Sequence, residues 1–384
     1  MSFAFDDLLA ADAVVRELLA PLTPFLSMPG VTEVAVNRPG EVFVETGVQW
    51  QRHTVPSLTL ARCRSLANAI ASYCDQRVDA SVPILTARLP GTERVHLVLP
   101  PVAEQDTVSI TIRIPDPVPR TFDDYREQGF FNHYLWAVSS DHSNARIPLD
   151  HVQQRLLDHL EHNRLAEFLG DAVRHKLNMV FVGDTGSGKT SLMNAACQSI
   201  PKDERLVTIE DVRELNLPHH ANRVHLLYSK GAQGTADVTP ADLIASNMRM
   251  KPDRVLLAEL RGAEAFDFLK LLTTGHSGSL STFHAESCAL ALERYVLMCK
   301  EHPHAAIYDA FALKRLVALT IDIIIHIRVE RIYGDDGAPA RKLRYVSEVA
   351  YDPIAKQAAR FGEAAVHHAS PRDGPPAPRQ EQAP

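Results

Sequence analysis

From Gly183 to Ser191 the chain reads GDTGSGKTS. That is the spacing G-x-x-x-x-G-K-[ST], preceded by an apolar run, Met179 to Val182, and followed by a helix-favouring stretch, Leu192 to Ala196. Glycines let successive backbone N–H groups curl around an anion. The N-terminus of the following helix adds its positive dipole end, and Lys189 reaches the terminal phosphates of a nucleotide. The Thr190 hydroxyl is of the kind that ligates Mg²⁺ in such loops. The chemistry expected here is phosphoryl transfer, with Gly183, Thr185, Gly186, Ser187, Gly188, Lys189, Thr190 and Ser191 holding the nucleotide.

Hydrolysis also needs a carboxylate to align water, acids to support the metal, and cations on the developing charge. In open α/β sheets these groups gather outside the carboxyl ends of strands. Glu210 and Asp211 follow the apolar segment 205–209, Glu259 follows 254–258, His276 lies in Gly275-His276-Ser277-Gly278, and His284 follows 279–283. Each taken singly reads as an ordinary turn residue; their recurrence after one phosphate loop is what points to a site. Glu259 is the first candidate for aligning the water. Glu210 and Asp211 are candidates for supporting metal and water, so that Thr190, Glu210 and Glu259 form the expected Mg²⁺ set, directly or through water. His276 is assigned the sensing of the γ-phosphate. No arginine in this half obviously completes the site. Arg113, on the strand DTVSITIRIP with its side chain away from the local core, and Arg94, on the neighbouring hairpin, are expected to supply charge from outside.

The elements that must position these groups fall into two units. Residues 31–50 alternate around Pro39-Gly40 as a hairpin, Leu60 to Cys74 repeat at helical spacing, and a second strand pair turns at Pro90-Gly91. These give an N-terminal α+β domain over 1–115. The breakers PDPVPR open an interdomain linker over 116–164, long enough for domains to exchange between neighbouring subunits. An α/β domain with a mostly parallel sheet is expected over 165–355, its buried strands at 179–182, 205–209, 254–258, 279–283 and 320–329, with helices at 240–250 and 263–273 between them. A helix capped by Asp150 precedes it. Residues 356–384, rich in Pro and polar residues towards the end, are expected to be a disordered tail.

Composition sets outer bounds. A chain of 384 residues with a formal charge of −7 has room for two cores and argues against a bulk basic surface that coats nucleic acid, so no dedicated sequence-specific nucleic-acid site is expected, a local groove being left open. Five scattered cysteines without a C-x-x-C imply reduced core thiols rather than a disulfide framework or a zinc site. The N-terminus is acidic where a signal peptide would be basic, and the run Ile323-Ile324-Ile325 is far too short to span a bilayer.

Taken together, GDTGSGKT, TIEDVREL (208–215), RVLLAELRG (254–262) and GHSGSLSTFHA (275–285) resemble the Walker A, aspartate, Walker B and histidine boxes of the secretion-ATPase superfamily. The chain is most similar to the VirB-eleven-like traffic ATPases of type IV secretion, in the right order and over nearly its whole length. That resemblance implies a RecA-like P-loop ATPase domain, ATP with Mg²⁺ as cofactors, a homohexameric ring with nucleotide between the two domains, and first-domain arginines on the phosphates. It carries over Gly183, Gly188, Lys189, Thr190, Glu210, Asp211, Glu259, His276, Arg113 and, less directly, Arg94. It further implies a cytoplasmic protein at the cytoplasmic face of the inner membrane, partnered by inner-membrane secretion components and a coupling ATPase, with protein or DNA as the translocated substrate. A pilus assembly or retraction motor, a type II secretion ATPase and a nucleotide-gated adaptor are the alternative readings. The absence of a tetracysteine site counts against the type II reading.

Overall fold

The computed structural model describes residues 3–115, 118–138, 149–229, 237–334 and 339–361. Two sheets organise it. The first holds six antiparallel strands: β1 (Val31–Val36), β2 (Glu41–Thr46), β3 (Gln49–Thr54), β4 (Ile84–Arg88), β5 (Arg94–Val98) and β6 (Ser109–Arg113), in the spatial order β3-β2-β1-β6-β5-β4. Helices α1 (Phe3–Leu19), α2 (Thr23–Leu26) and α3 (Leu60–Tyr73) belong to this unit. Alternation along each strand turns Val34, Val42, Val95, Leu97, Ile110 and Ile112 inward against Cys63, Leu66 and Ile70 of α3. The opposite face is mixed, with Ala35, Phe43 and Trp50 among charged and polar residues.

That mixed face carries a row set by register alone. Glu45 on β2 lies opposite Glu33 on β1, Glu33 opposite Arg113 on β6, and Arg113 opposite Arg94 on β5. Four charged side chains therefore stand side by side across four strands, acids at one end and arginines at the other.

The second unit departs from the expected boundaries. Residues 118–138 and 149–164 form no free linker: α4 (Phe122–Glu127), β7 (Leu135–Ala137) and α5 (His151–Glu161) all pack into the second core. Phe122, Tyr125, Phe130 and Phe131 are buried there with Leu156, Leu160 and residues of α6 (Leu165–Arg174), and β7 pairs with the last strand of the large sheet. Four aromatic side chains cannot be left in water along a linker when a half-formed apolar surface adjoins them. Among the described residues the connection between the units thus shrinks to the short breaker stretches on either side of residues 116–117, which lie outside the described residues. Residues 139–148 of the expected linker lie outside the described residues.

The large sheet continues with β8 (Met179–Gly183), α7 (Lys189–Gln198), β9 (Leu206–Glu210), β10 (Arg223–Leu227), α8 (Pro240–Met250), β11 (Arg254–Leu257), α9 (Glu264–Thr273), β12 (Leu280–Phe283), α10 (Cys288–Lys300), α11 (Ala310–Thr320), β13 (Ile323–Tyr333), β14 (Pro339–Ala350) and α12 (Pro353–Phe361). Its order is β10-β9-β11-β12-β8-β13-β14-β7. The first six strands are mutually parallel; β14 turns back antiparallel to β13, and β7 runs parallel to β14. Five apolar segments expected as strands are strands of this mostly parallel sheet; four are buried along their whole length and β13 over its first five residues, as all-parallel strands are. The first residues of the tail expected from 356 are helical instead. Helix α12 runs on to Phe361, with Lys356 paired to Asp322 and also donating to the Ile321 carbonyl at 3.2 Å. Residues 362–384 lie outside the described residues. The cysteines are unbonded, and all except the half-buried Cys74 are buried.

Candidate active site

Strand β8 ends at Gly183, whose φ of 148° and close packing leave no room for a side chain: a Cβ there would sit 2.2 Å from the Ile327 carbonyl oxygen of β13. The chain then turns through Gly186 (φ 74°) and Gly188 (φ 103°), the latter serving as the left-handed N-cap of α7. At both of these glycines the space beside the backbone is open, with nothing within 4 Å of an added Cβ. Ser187 is fully buried and its hydroxyl finds no partner, whereas Thr185 is exposed at the tip and Ser191 exposed on the helix. The result is a cradle of N–H groups at a helix start, open on one side, which fits a chain of phosphates.

Lys189 is folded back into this cradle. Its ammonium donates to the carbonyls of Gly183 (3.0 Å) and Asp184 (2.8 Å) and to Nδ1 of His284 (3.3 Å). Burial pushes its pKa down to about 8, against the pull of Glu259 and Asp184 and with Arg113 adding to the depression. That last influence places Arg113 within electrostatic reach of the phosphate loop although it belongs to the other unit.

His284 continues the chain of contacts. Its Nε2 lies 3.1 Å from the Glu259 carboxylate, so Lys189, His284 and Glu259 are linked in line. Burial and the neighbouring Lys189 lower the His284 pKa, which keeps the ring neutral, with Nδ1 accepting from Lys189 and Nε2–H donating to Glu259. Glu259 is held at the end of β11 by two neighbours: Ala258 N donates to the Ile209 carbonyl at 3.0 Å and Leu260 N to the Thr282 carbonyl at 2.8 Å. Its other partner is Arg261, whose Nε donates at 2.7 Å and which also bonds Asp211 at 2.7 Å. The second half of the chain therefore does hold an arginine in the site, contrary to the sequence expectation. Arg261 ties the acidic residues after β9 and β11 together.

Two expected site residues stand elsewhere. Glu210 is 1% exposed, and both oxygens are engaged: one accepts from the Thr208 hydroxyl (2.7 Å) and faces His225 Nδ1 (3.2 Å), the other accepts from the backbone N–H of Glu214 (2.7 Å) and Leu215 (2.8 Å). A carboxylate so occupied shapes the loop 211–215 and is not turned to a ligand. Asn194 of α7 fastens the same loop to the phosphate-loop helix by bonding Glu214 O (3.1 Å) and Asn216 N (2.8 Å). His276 lies at the wrong edge. Leu280 of β12 stands beside Met179 and Phe283 beside Val182, so what precedes β12 sits at the amino end of the sheet. There Gly278 N and Ser279 N donate to the Asn178 side chain at 2.9 and 3.2 Å. The phosphate loop is at the other end of β8. In a parallel strand the residue after it, His284, is the one delivered to the site; strand direction was the signal that could have found it.

From the first unit, Arg94 forms an ion pair with Glu214, on the loop that Glu210 shapes. Arg113 is half-exposed and reaches Glu33 at 3.4 Å. Among the described residues no group of three or more His, Cys, Asp or Glu gathers as a metal site.

Comparison with known proteins places the chain in a family. The family model described as "Type II/IV secretion system protein" matches residues 16–333. The type IV secretion system protein VirB11 of Brucella suis is 43% identical over 348 residues, covering 90% of this chain and 92% of its own. The PtlH homolog of Bordetella bronchiseptica, also a type IV secretion system protein, is 41% identical over 340 residues, covering 84% and 95%. In fold the chain is similar to the ATPase DotB of Legionella pneumophila, with a TM-score of 0.56 over 93% of this chain and 88% of that one at 16% identity. On its sequence match and its phosphate loop, the chain belongs to the type II/IV secretion system protein family, as one of its P-loop ATPases.

Proposed function

We propose that the chain is the subunit of a homohexameric ring that hydrolyses ATP in the cleft between its two units and so energises a type IV secretion system. The observation that carries this reading is the facing of the charged row of the first sheet towards the phosphate loop, with Arg94 joined to Glu214 and Arg113 within reach of Lys189. In it Lys189 leaves its carbonyl partners for the β- and γ-phosphates, Glu259 orients the attacking water, and Arg113 meets the charge that develops on the transferred group. Arg261 and His284 hold the Glu259 carboxylate in place. Mg²⁺ typically keeps several waters and few protein ligands in such sites, and the Thr190 hydroxyl with Glu259 through water are the groups at hand. Bound there, it supplies charge neutralisation on the phosphate oxygens.

Among the described residues no helix is long and apolar enough to cross a membrane. By its likeness to type IV secretion system proteins, the reading places the ring peripherally, at the cytoplasmic face of the inner membrane through inner-membrane secretion components and a coupling ATPase, with protein or DNA as cargo. It is tested by light scattering together with steady-state phosphate release, with and without ATP and Mg²⁺. A ring with turnover that Lys189→Ala abolishes is expected; a monomer without turnover would overturn the motor.

A further inference from the structure

The hairpin β13–β14 is longer than the sheet needs. Strand β13 runs beside β8 only until Ile327 meets Gly183, then continues to Tyr333 before returning from Pro339. The six extra residues carry it about 20 Å past the edge where the phosphate loop begins. Along β14, Lys342, Arg344 and Val346 share one face. Val346 is buried in the core that contains Leu192 and Met193 of α7, so the two cations project on the same side as the phosphate-loop helix.

Both land on something informative. Nε of Arg344 donates to the carbonyl of Gly186, at the tip of the phosphate loop, at 3.0 Å. Lys342 forms an ion pair with Glu45 of the first unit, and the two side chains are only 15% and 13% exposed. The second oxygen of Glu45 accepts from the Thr32 hydroxyl at 3.1 Å. Glu45 is the end of the row that runs through Glu33 and Arg113 to Arg94. Within three residues, one rigid antiparallel ladder thus touches the loop that holds phosphate and the strand array that carries Arg113.

We propose that Lys342 and Arg344 are positioning residues, forming a strut that sets Arg113 over the phosphate loop and transmits a change in the loop to the first unit. This rests on the reading that nucleotide lies between the two units. The strut acts through Arg113 and the loop backbone and touches no reacting atom. A nearly dry ion pair suits this role, because its geometry is fixed and a single lost partner leaves a charge stranded. An error of about 1 Å in placing a group on a transition state is enough to cost a large factor in rate.

The test uses the full chain. In the nucleotide-free protein, Lys342→Met and, separately, Arg344→Gln at an exposed position are expected to speed amide exchange of residues 184–188. In turnover, Lys342→Met is expected to lower kcat roughly tenfold to a hundredfold while changing KM far less. The double reversal Glu45→Lys with Lys342→Glu should restore both exchange and kcat. If Arg113→Ala is impaired while Lys342→Met and Arg344→Gln keep parental exchange and kcat, the strut is wrong and the two-domain site stands. If Arg113→Ala turns over at the parental rate, the two-domain site fails and takes the strut with it. If the double reversal stays as slow as Lys342→Met, the ion pair is not the link.

Discussion

Arg94 and Arg113 lie directly opposite each other on β5 and β6, yet they have different partners: Arg94 is tied to Glu214 of the second unit, and Arg113 to Glu33 of its own sheet. Two guanidinium groups side by side repel, and the acids on either flank are what hold them apart. The division gives each a task. On the proposed reading Arg94 docks the units and Arg113 serves the phosphate. Arg113→Ala is therefore expected to lower kcat by about 10³-fold, the smaller end of what an inserted arginine supplies, with little change in melting temperature. Arg94→Ala should instead loosen the units, which hydrogen exchange of residues 211–215 would register. Equal single-turnover rates for Arg113→Ala and the parent would refute the assignment.

Lys189 makes a pH prediction. With a pKa of about 8 in the nucleotide-free state, it is increasingly neutral above pH 8, whereas a polyphosphate requires the ammonium. Binding then takes up a proton, so affinity for ATP should be level below pH 8 and fall by up to about tenfold per pH unit above it. Titration calorimetry in buffers of different ionisation enthalpy checks this. Affinity unchanged up to pH 9.5 would show that the buried lysine is not what titrates.

The two histidines of the 275–285 box should separate cleanly. His284→Ala breaks the line from Lys189 to Glu259 and is expected to cost about 10²-fold or more in kcat, in the range general acid–base and orienting groups supply. His276→Ala, at the amino edge, should leave single-turnover chemistry near the parental rate. The opposite ranking would return His276 to the site.

Glu210→Gln tests a structural acid. The amide would turn a donor towards at least one of the groups that now donate to the carboxylate. A loss of about 2–4 kcal/mol in denaturant unfolding is expected, since buried charged hydrogen bonds are replaced by a mismatch. An unchanged midpoint together with lost Mg²⁺ dependence would make Glu210 a ligand after all.

Much of the site was legible because its signals are local. The glycine spacing, the apolar run before it and the acid after RVLLA each follow from one segment's own chemistry. The facing of Arg113 was foreshadowed by alternation along β6, which turns it away from the core. What stayed hidden depends on direction and distance. His276 was expected at the site from its glycine-flanked segment and from the resemblance, and only strand polarity shows that His284 is the one at the phosphate-loop end of β12. Arg261 was passed over because an arginine after an acid in a turn looks solvated until the fold brings Asp211 beside it. Strands β10 and β14 escaped because RVHLL and PARKLRYVSEVA are too polar for buried strands; one is a sheet edge and the other a partly exposed hairpin arm. The aromatic residues 122–131 were expected in the linker, since the surface that buries them is made by α5 and α6, remote from their own periodicity.

The charged row on the first sheet has a mechanical consequence. Its four members sit on hydrogen-bonded strands, so none can shift along its strand without turning its side chain to the other face. Sliding is thereby forbidden, and the remaining freedom is a tilt of the whole sheet. From Arg94 to Glu45 is three strand spacings, about 14 Å, so a tilt of about 10° pivoting on Arg94 would lift Glu45 by about 2.5 Å. The first sheet is a lever whose fulcrum and load are ion pairs of opposite polarity, and Arg113 rides one strand from the fulcrum.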